Sequence, residues 1–311
     1  MKKVVVLVLA LSLSLANISC KKSVKELEKA VANVNIDSSK DANAIIDFNN
    51  NFIDSYKNAS NHIEGIVKYS NAAVIKAKGG DVLMMPMVMG IMDYSFSKIK
   101  GVPSGFGKDK KSIEADFKIY TEKKEAISKK YEELKSYISA EDFKDDKGAK
   151  AEAIQKEIEE NAKAFFIAGE NILAKIKPAT DEAENIILKD HPLKDYILSS
   201  KSIMNSLDDI FGTIDKQYSG QFNEAELQKK YDEFEKAVNA NSQMEFKVKD
   251  GQYSHKKTQF DNFNKQSTEF LGSFRKLIRD AKESGKITDG DLSIIESSYN
   301  SVLSSYNSFV K

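Results

Sequence analysis

The sequence predicts an all-α protein, an elongated bundle of several helices with one irregular insertion rich in methionine and glycine. Three observations support this class. Apolar residues recur at intervals of three and four over most of the chain, no stretch of five or more residues alternates convincingly as a strand, and the 311 residues include only four prolines. Apolar residues at this spacing form a stripe along one face of a helix, and burial of that stripe requires neighbouring helices at shallow crossing angles.

The periodic segments predict the helices in order along the chain. Two long segments cover about residues 41–78 and 149–177, and a third covers about 179–218 with an interruption. Pro178 and Pro192 are interpreted as helix starts or breaks, because proline cannot donate a backbone hydrogen bond. The other stripes are Ile113, Phe117, Tyr120, Ile127, Tyr131, Leu134 and Ile138; Leu227, Tyr231, Phe234 and Val238; Phe260, Phe263, Ser267, Phe270, Phe274, Leu277 and Ala281; and Leu292, Ile295, Tyr299, Val302, Tyr306 and Phe309.

The N-terminus has the features of a secretory signal that ends at a cysteine. Two lysines precede an uncharged run over residues 4–16, which is shorter than the roughly 20 apolar residues of a membrane-spanning helix. Ser19 and then Cys20, the only cysteine in the chain, follow this run. These residues resemble the bacterial lipoprotein signal, in which a peptidase cuts before a cysteine that receives a diacylglycerol thioether and an N-acyl chain. Asn17 departs from the leucine that is common in such signals.

We therefore expect Cys20 to be the lipid attachment site and the first residue of the mature protein. The alternative is an ordinary signal peptide cleaved nearby, with the cysteine incidental; a chain without a second cysteine has no disulfide partner for it, which favours the lipid. The predicted organisation is a removed signal over residues 1–19, the lipidated cysteine and a tether over 20–40, and a single helical domain over 41–311. Residues 79–110 form the irregular segment within that domain.

Composition argues against nucleic acid as a partner. Basic and acidic residues both number 47, so the formal net charge is +0, and the chain has no overall field that would attract a polyanion. Arg275 and Arg279 are the only arginines. Bidentate recognition of phosphate, which suits the guanidinium group, is therefore scarcely available.

No catalytic motif stands out in the sequence. It contains no phosphate-binding loop, no nucleophile elbow and no zinc-binding helix motif. An EF-hand-like stretch, residues 285–296, lacks carboxylates at its first and third ligand positions, so we interpret Asp289 or Asp291 as a helix cap. We expect a protein that is not an enzyme and that carries no cofactor except the lipid on Cys20. The three histidines are far apart in sequence: His62, His191 and His255.

The most apolar stretch after the signal is "VLMMPMVMGIM", residues 82–92, which includes five of the eight methionines. Three interpretations are open. Flexible methionines can fill a gap where a loop packs into the bundle, which is the interpretation we favour. Thioethers of Met85, Met87 and Met89 on one side of an extended segment can bind Cu(I), although no histidine or cysteine accompanies them in sequence. The segment can also be an adaptable apolar surface for a partner or a lipid.

Two further stretches are typical of a known family. They are "FNNNFIDSYKNASNHIEGIVKYSNA" at residues 48–72 and "YNSVLSSYNSFV" at residues 299–310. Together with the lipoprotein N-terminus, they resemble the YiiG-like bacterial lipoproteins, whose globular part is a domain of unknown function. The resemblance covers most of residues 38–311. It implies an extracytoplasmic helical domain and provides no active site.

The functional expectation is a lipid-anchored, extracytoplasmic and non-catalytic protein that binds a partner or associates with the cell envelope. The alternative is a carrier that holds Cu(I) or a small apolar ligand in the methionine-rich segment. Lys21 stands where some bacteria place the aspartate that retains lipoproteins at the inner membrane. We therefore expect attachment to the outer membrane, facing the periplasm.

Overall fold

The computed structural model describes residues 39–90, 93–248 and 251–310. The predictions for Cys20, for the signal at 1–19 and for most of the tether at 20–40 lie outside these residues. All regular secondary structure within the described residues is helical, which confirms the all-α prediction. No helix in this part of the chain is both long enough and apolar enough to cross a bilayer.

The described residues form nine α-helices, which we number in chain order. Two short 3₁₀ segments, Ser104–Asp109 and Gly251–Tyr253, lie in the connections. The α-helices are α1 (Ser39–Ala77), α2 (Tyr94–Lys98), α3 (Lys110–Ala140), α4 (Phe143–Asp146), α5 (Ala149–Ile187), α6 (Lys194–Tyr218), α7 (Glu224–Ser242), α8 (Lys256–Ser284) and α9 (Asp289–Val310).

Contacts between Cα atoms divide the described residues into two compact units. The first unit ends at Ile187 and the second begins at Leu188. Each unit is described below by itself. The extent of the predicted single domain, 41–311, stays a prediction.

The first unit is organised around three long helices, with α5 packed against both α1 and α3. Phe48, Phe52 and Tyr56 follow one another at intervals of four along α1, so their rings lie one above the next on the buried face. Successive rings in this row are nearly parallel, with interplanar angles of 3° and 6°. Tyr120 of α3 and Phe165 of α5 close the cluster, and their ring centroids lie 4.7 Å apart. This aromatic row forms the centre of the core of the first unit.

A glycine permits the close approach of α5 to α1. A Cβ atom added at Gly169 would overlap the ring of Tyr56, with Cζ only 2.7 Å and Cδ2 only 2.8 Å away. Real Cβ atoms essentially never approach other atoms so closely, and the ring is buried and cannot move aside. Gly169 therefore sets the spacing of these two helices.

The helix break predicted at Pro178 is wrong, because α5 continues through this residue to Ile187. Proline removes the backbone donor that would bond the carbonyl of Ala174. Both residues lie on the exposed side of the helix, where water can satisfy that carbonyl. The break predicted near Pro192 is confirmed, since α5 has ended before it and α6 begins at Lys194.

The second unit contains α6 to α9, with α8 packed against α7 and α9. Every member of the stripe predicted for α8 is buried, including the polar Ser267. All four members predicted for α7 are buried as well. On α9, the positions Ile295, Val302 and Phe309 are fully buried, and the others of its stripe are partly buried against the same core. The interval of three and four residues therefore identified the packed faces correctly.

Carboxylates cap the turns, as predicted for the start of the last helix. Asp291 accepts hydrogen bonds from the amide (2.9 Å) and the hydroxyl (2.6 Å) of Thr288, and its own amide donates back to that hydroxyl. This reciprocal pair satisfies donors at the N-terminus of α9. Before α5, the carboxylate of Asp146 accepts hydrogen bonds from the amides of Gly148 and Lys150, and so satisfies donors at the start of that helix.

Candidate functional site

The candidate site is the methionine-rich segment that follows α1, of which the structure describes residues 79–90 and 93. The segment begins with a tight turn. The amide of Gly79 donates a hydrogen bond to the carbonyl of Lys76 (3.0 Å), and the amide of Gly80 donates one to the carbonyl of Ile75 (2.9 Å). This pair of hydrogen bonds is the pattern of a Schellman cap. Gly79 has φ +80°, a conformation that favours glycine. This turn ends α1 sharply and redirects the chain.

Contacts with successively earlier residues of α1 show that the segment returns along that helix. The side chain of Val88 lies over Gly65, where an added Cβ would be 3.8 Å from it. One residue later, Nδ1 of His62 lies 2.7 Å from the carbonyl oxygen of Met89. A carbonyl can only accept a hydrogen bond, so Nδ1 carries the proton.

Asp93 fixes the far end of the segment. Its carboxylate accepts hydrogen bonds from the hydroxyl of Ser55 (2.8 Å) and the ammonium of Lys124 (3.0 Å), and also caps α2 through the amide of Phe96 (2.9 Å). The Asp93 and Lys124 side chains are largely withdrawn from water, at 10% and 18% exposure. The ammonium also lies 4.1 Å from the centre of the Phe96 ring. Three elements of the first unit thus hold this one carboxylate.

Sequence reasoning did not identify the role of Asp93. A signal was present, because it is the only acidic residue between Asp81 and Asp109 and it directly follows the apolar stretch. Its partners Ser55 and Lys124 are 38 and 31 residues away in sequence. No local pattern relates residues at such separations.

Between its two fixed ends, the segment presents apolar side chains to solvent. Leu83 is 107% exposed, Met84 and Met87 are each 84% exposed, and Met89 is 75% exposed. The favoured interpretation, methionines filling a gap in the bundle, is therefore wrong for these three methionines. Residues 85–90 have no helical structure, and between the outward Met87 and Met89 the side chain of Val88 is turned inward, as in an extended chain.

The structure changes one premise of the copper hypothesis. His62 is far from the methionines in sequence, but α1 places its ring beside Met89. Its Nδ1 is engaged with a carbonyl, which is how metal-binding histidines are commonly oriented, with the other ring nitrogen left as a lone-pair donor. Of the three candidate ligands Met85, Met87 and Met89, the structure thus brings Met89 to a histidine through its backbone carbonyl, while Met92 lies outside the described residues.

Within the part of the chain that the structure describes, the remaining histidines are not brought together with other ligand residues. Nδ1 of His191 accepts the amide hydrogen of Leu193 at 3.1 Å, and its ring lies edge-on to Tyr253. His255 is exposed at the start of α8. Among the described residues, no three His, Cys, Asp or Glu side chains are arranged to hold a metal ion.

A second surface feature is an uncharged groove on the second unit, between α8 and α9. It has a volume of about 500 Å³ and is open to solvent. Several of its hydroxyls donate to carbonyls of their own helix, such as Ser305 to Val302 (2.7 Å) and Ser308 to Ser304 (2.9 Å). These hydroxyl donors are satisfied within α9, so they are not directed at a ligand. Its lining residues are Asn262, Gln266, Ser297, Asn300, Ser301, Ser304, Ser305 and Ser308.

Fold and site together define an all-α protein whose candidate site is an exposed surface segment. A family model described as a protein of unknown function, DUF3829, matches residues 109–311, which is well over half of the chain. The chain therefore belongs to the DUF3829 family. The methionine-rich segment lies outside the matched residues, and the narrower YiiG-like assignment stays a prediction.

Two solved structures match this chain. An alpha helical protein from Bacteroides fragilis NCTC 9343 matches with a TM-score of 0.56 at 16% identity, over 85% of this chain and 98% of that chain. An uncharacterized DUF3829-like protein from Bacteroides thetaiotaomicron matches with a TM-score of 0.48 at 16% identity, over 86% and 98%. No curated protein matches the chain. At 16% identity, the similarity to the Bacteroides fragilis structure shows the fold alone.

Proposed function

We propose that this chain is a lipid-anchored, extracytoplasmic helical protein that acts without catalysis, by binding a partner or the envelope through its methionine-rich segment. One observation carries the proposal. Four apolar side chains, those of Leu83, Met84, Met87 and Met89, project into solvent from a segment that is fixed at both ends. Exposed apolar groups on a fixed frame are typical of interaction surfaces.

The anchor is the thioether of Cys20, and the signal pattern of the first 20 residues supports it. More than one acyl chain gives stable attachment, because each buried CH₂ contributes about 0.8 kcal/mol. The place of action is the outer membrane, on its periplasmic side. Lys21, in the position of a retention aspartate, supports this location.

Mass spectrometry of the protein purified from its native membrane tests the anchor. The expected N-terminal fragment begins at Cys20 and carries diacylglycerol and an N-acyl chain. Labelled palmitate is expected to enter the native protein and not a Cys20→Ser variant. An unmodified cysteine, or a chain that retains residues before it, would overturn the proposed attachment.

Crosslinking in the intact cell tests the role of the methionine-rich segment. A photoreactive amino acid at Met87 is compared with the same group at Ile167, which is 49% exposed on α5 of the same unit. We expect envelope molecules to be captured from position 87 and not from position 167. Equal capture from both positions would contradict the assignment of the surface.

A second candidate function is a Cu(I) carrier, and the position of His62 beside Met89 favours it. Thioethers and imidazole are suitable ligands for Cu(I). Titration against a competing Cu(I) chelator distinguishes the two functions. Binding that is lost when Met87 and Met89 are both replaced by leucine supports the carrier, because leucine keeps the apolar surface and removes the sulfur. Absence of Cu(I) binding, or binding that survives this double replacement, would exclude the carrier function.

A further inference from the structure

We propose that the exposed part of the methionine-rich segment, residues 83–89, is a contact for the surface of a lipid bilayer. Its apolar side chains enter the boundary between headgroups and acyl chains, next to the anchor on Cys20. This inference rests on the proposed lipid attachment and adds a second point of contact with the membrane. Three properties of the chain support a bilayer as the occupant: the form of the apolar surface, the neighbouring charge and the reach of the tether.

The apolar surface projects from the protein and does not line a cleft. Leu83 and the three outward methionines are exposed by 75% or more, so they are accessible from several directions. No charged residue occurs between Val82 and Gly90. A fluid bilayer surface can surround such projecting side chains without a complementary cavity, whereas a small apolar ligand would require concave walls.

The charge that follows the segment in sequence is complementary to anionic lipids. Residues 98–111 include four exposed lysines and a single acidic residue, Asp109, whereas the whole chain is balanced in charge. Lysine near a membrane surface contributes about 1 kcal/mol through attraction to anionic headgroups. Tyr94, which is also exposed, has the amphipathic character of residues found at membrane interfaces. The lysines are Lys98, Lys100, Lys108 and Lys111.

The tether is long enough for both contacts to be made together. At 3.3–3.6 Å per residue, the chain from Cys20 to Ser39 spans at most about 68 Å. The position of Val88 over Gly65 lies about 39 Å along α1 from Ser39, at a rise of 1.5 Å per residue. An anchor at Cys20 therefore allows α1 to lie along the membrane with the segment in contact with it.

The experiment uses two features of the composition, a single cysteine and no tryptophan. The chain from Cys20 onward is coupled through this thiol to a maleimide lipid in vesicles of phosphatidylethanolamine and phosphatidylglycerol. A Met87→Trp variant reports on the segment. Ile167→Trp is the matched control, because it replaces an exposed aliphatic residue of the same unit.

We expect the emission of Met87→Trp to shift to the blue on coupling and to be quenched by brominated acyl chains, and that of Ile167→Trp to change in neither way. In the Met87→Trp background, replacement of Leu83 and Met89 by serine is expected to lower the equilibrium constant for lipid contact by about tenfold or more, since two exposed apolar side chains are removed. Circular dichroism verifies that these surface variants remain helical.

Two results would overturn the inference: no spectral response at position 87, or an equal response at position 167. Because the coupling is chemical, both results are independent of whether the cell attaches a lipid to Cys20. An unmodified cysteine in native material would overturn the anchor and leave the vesicle result unaffected. A photocrosslink from position 87 to a protein, together with no quenching by brominated lipid, would assign the surface to a protein partner and overturn the lipid contact.

Discussion

At the scale of single residues, Gly169 is the position where one added carbon has the largest predicted effect. A Cβ there would overlap the buried ring of Tyr56. We expect Gly169→Ala to lower the free energy of unfolding by about 2 kcal/mol, because overpacking of a rigid core outweighs the gain in helix propensity. Urea unfolding followed by circular dichroism measures the change.

Gly272 on α8 provides the matched control for this prediction. It is also a helical glycine, but it is exposed and an added Cβ would meet no atom within 4 Å. Gly272→Ala should stabilise the protein by about 0.5–1 kcal/mol. The cost of Gly169→Ala should also shrink in a Tyr56→Ala background, because the clash is then absent. A cost independent of Tyr56 would show that the ring is not the cause.

The sequence did not indicate which of these two glycines lies at a helix contact. Both occur within strongly periodic segments, and a missing side chain does not show what approaches it. Tyr56 and Gly169 are more than 100 residues apart in sequence, so only the packing of α1 against α5 brings them together. The spacing rule identifies buried faces, and it does not identify the partner of each face.

At the scale of elements, the periodic stripes predicted the long helices well and Pro178 misled the prediction. The boundary predicted at Pro178 rested on the assumption that proline ends a helix. On an exposed helix face, however, water can bond the carbonyl four residues earlier that proline leaves without a donor. The methionine-rich segment was correctly predicted to be irregular. Its outward orientation could not be predicted, because methionines such as Met84, Met87 and Met89 are equally compatible with a core and with a surface.

Asp93 is expected to hold the methionine-rich segment in place. Asp93→Ala removes three hydrogen-bond interactions and leaves Lys124 partly buried without its carboxylate. We expect a loss of about 2 kcal/mol of unfolding free energy and faster amide hydrogen exchange in the segment. Asp81→Ala is the control, because Asp81 is an exposed aspartate of the same segment. If both variants had the same effect, the role of Asp93 would be refuted.

At the scale of the whole molecule, tyrosines that are buried or partly buried are expected to make the fold sensitive to alkali. Burial raises the pKa of Tyr56, Tyr120 and Tyr299 well above the ordinary value of 10.0. The unfolded chain therefore loses these protons first. Stability should be unaffected by these groups below pH 10 and should fall above it, by about 1.4 kcal/mol per pH unit for each tyrosine.

Urea unfolding at several pH values on both sides of pH 10 measures this effect. In the Tyr120→Phe variant, the unfolding free energy should fall less steeply above pH 10, by the contribution of one tyrosine. Below pH 10 the substitution should have little effect, since it removes only a 3.4 Å contact with Ser55. Burial lowers the pKa of the Lys256 ammonium, so its contribution to stability rises with pH only up to the ordinary lysine value of 10.5 and does not offset the loss from three tyrosines above it. A stability that is flat or rises above pH 10 would contradict the prediction.

The whole molecule also shows where sequence reasoning ends. The class of fold follows from periodicity alone, because a stripe at helical spacing must be buried whatever covers it. The candidate site depends on contacts between distant residues, such as His62 with Met89 and Ser55 with Asp93. No spacing in the sequence implies those contacts.

The outward methionines have a chemical consequence if the protein acts outside the cytoplasm, as proposed above. Thioethers react with peroxide or hypochlorous acid to give sulfoxides, and accessible ones react first. Met84, Met87 and Met89 are open to such oxidants, whereas Met204 is shielded in the core of the second unit. Oxidative stress would therefore make this surface polar and leave the helices intact, and a sulfoxide reductase could restore it.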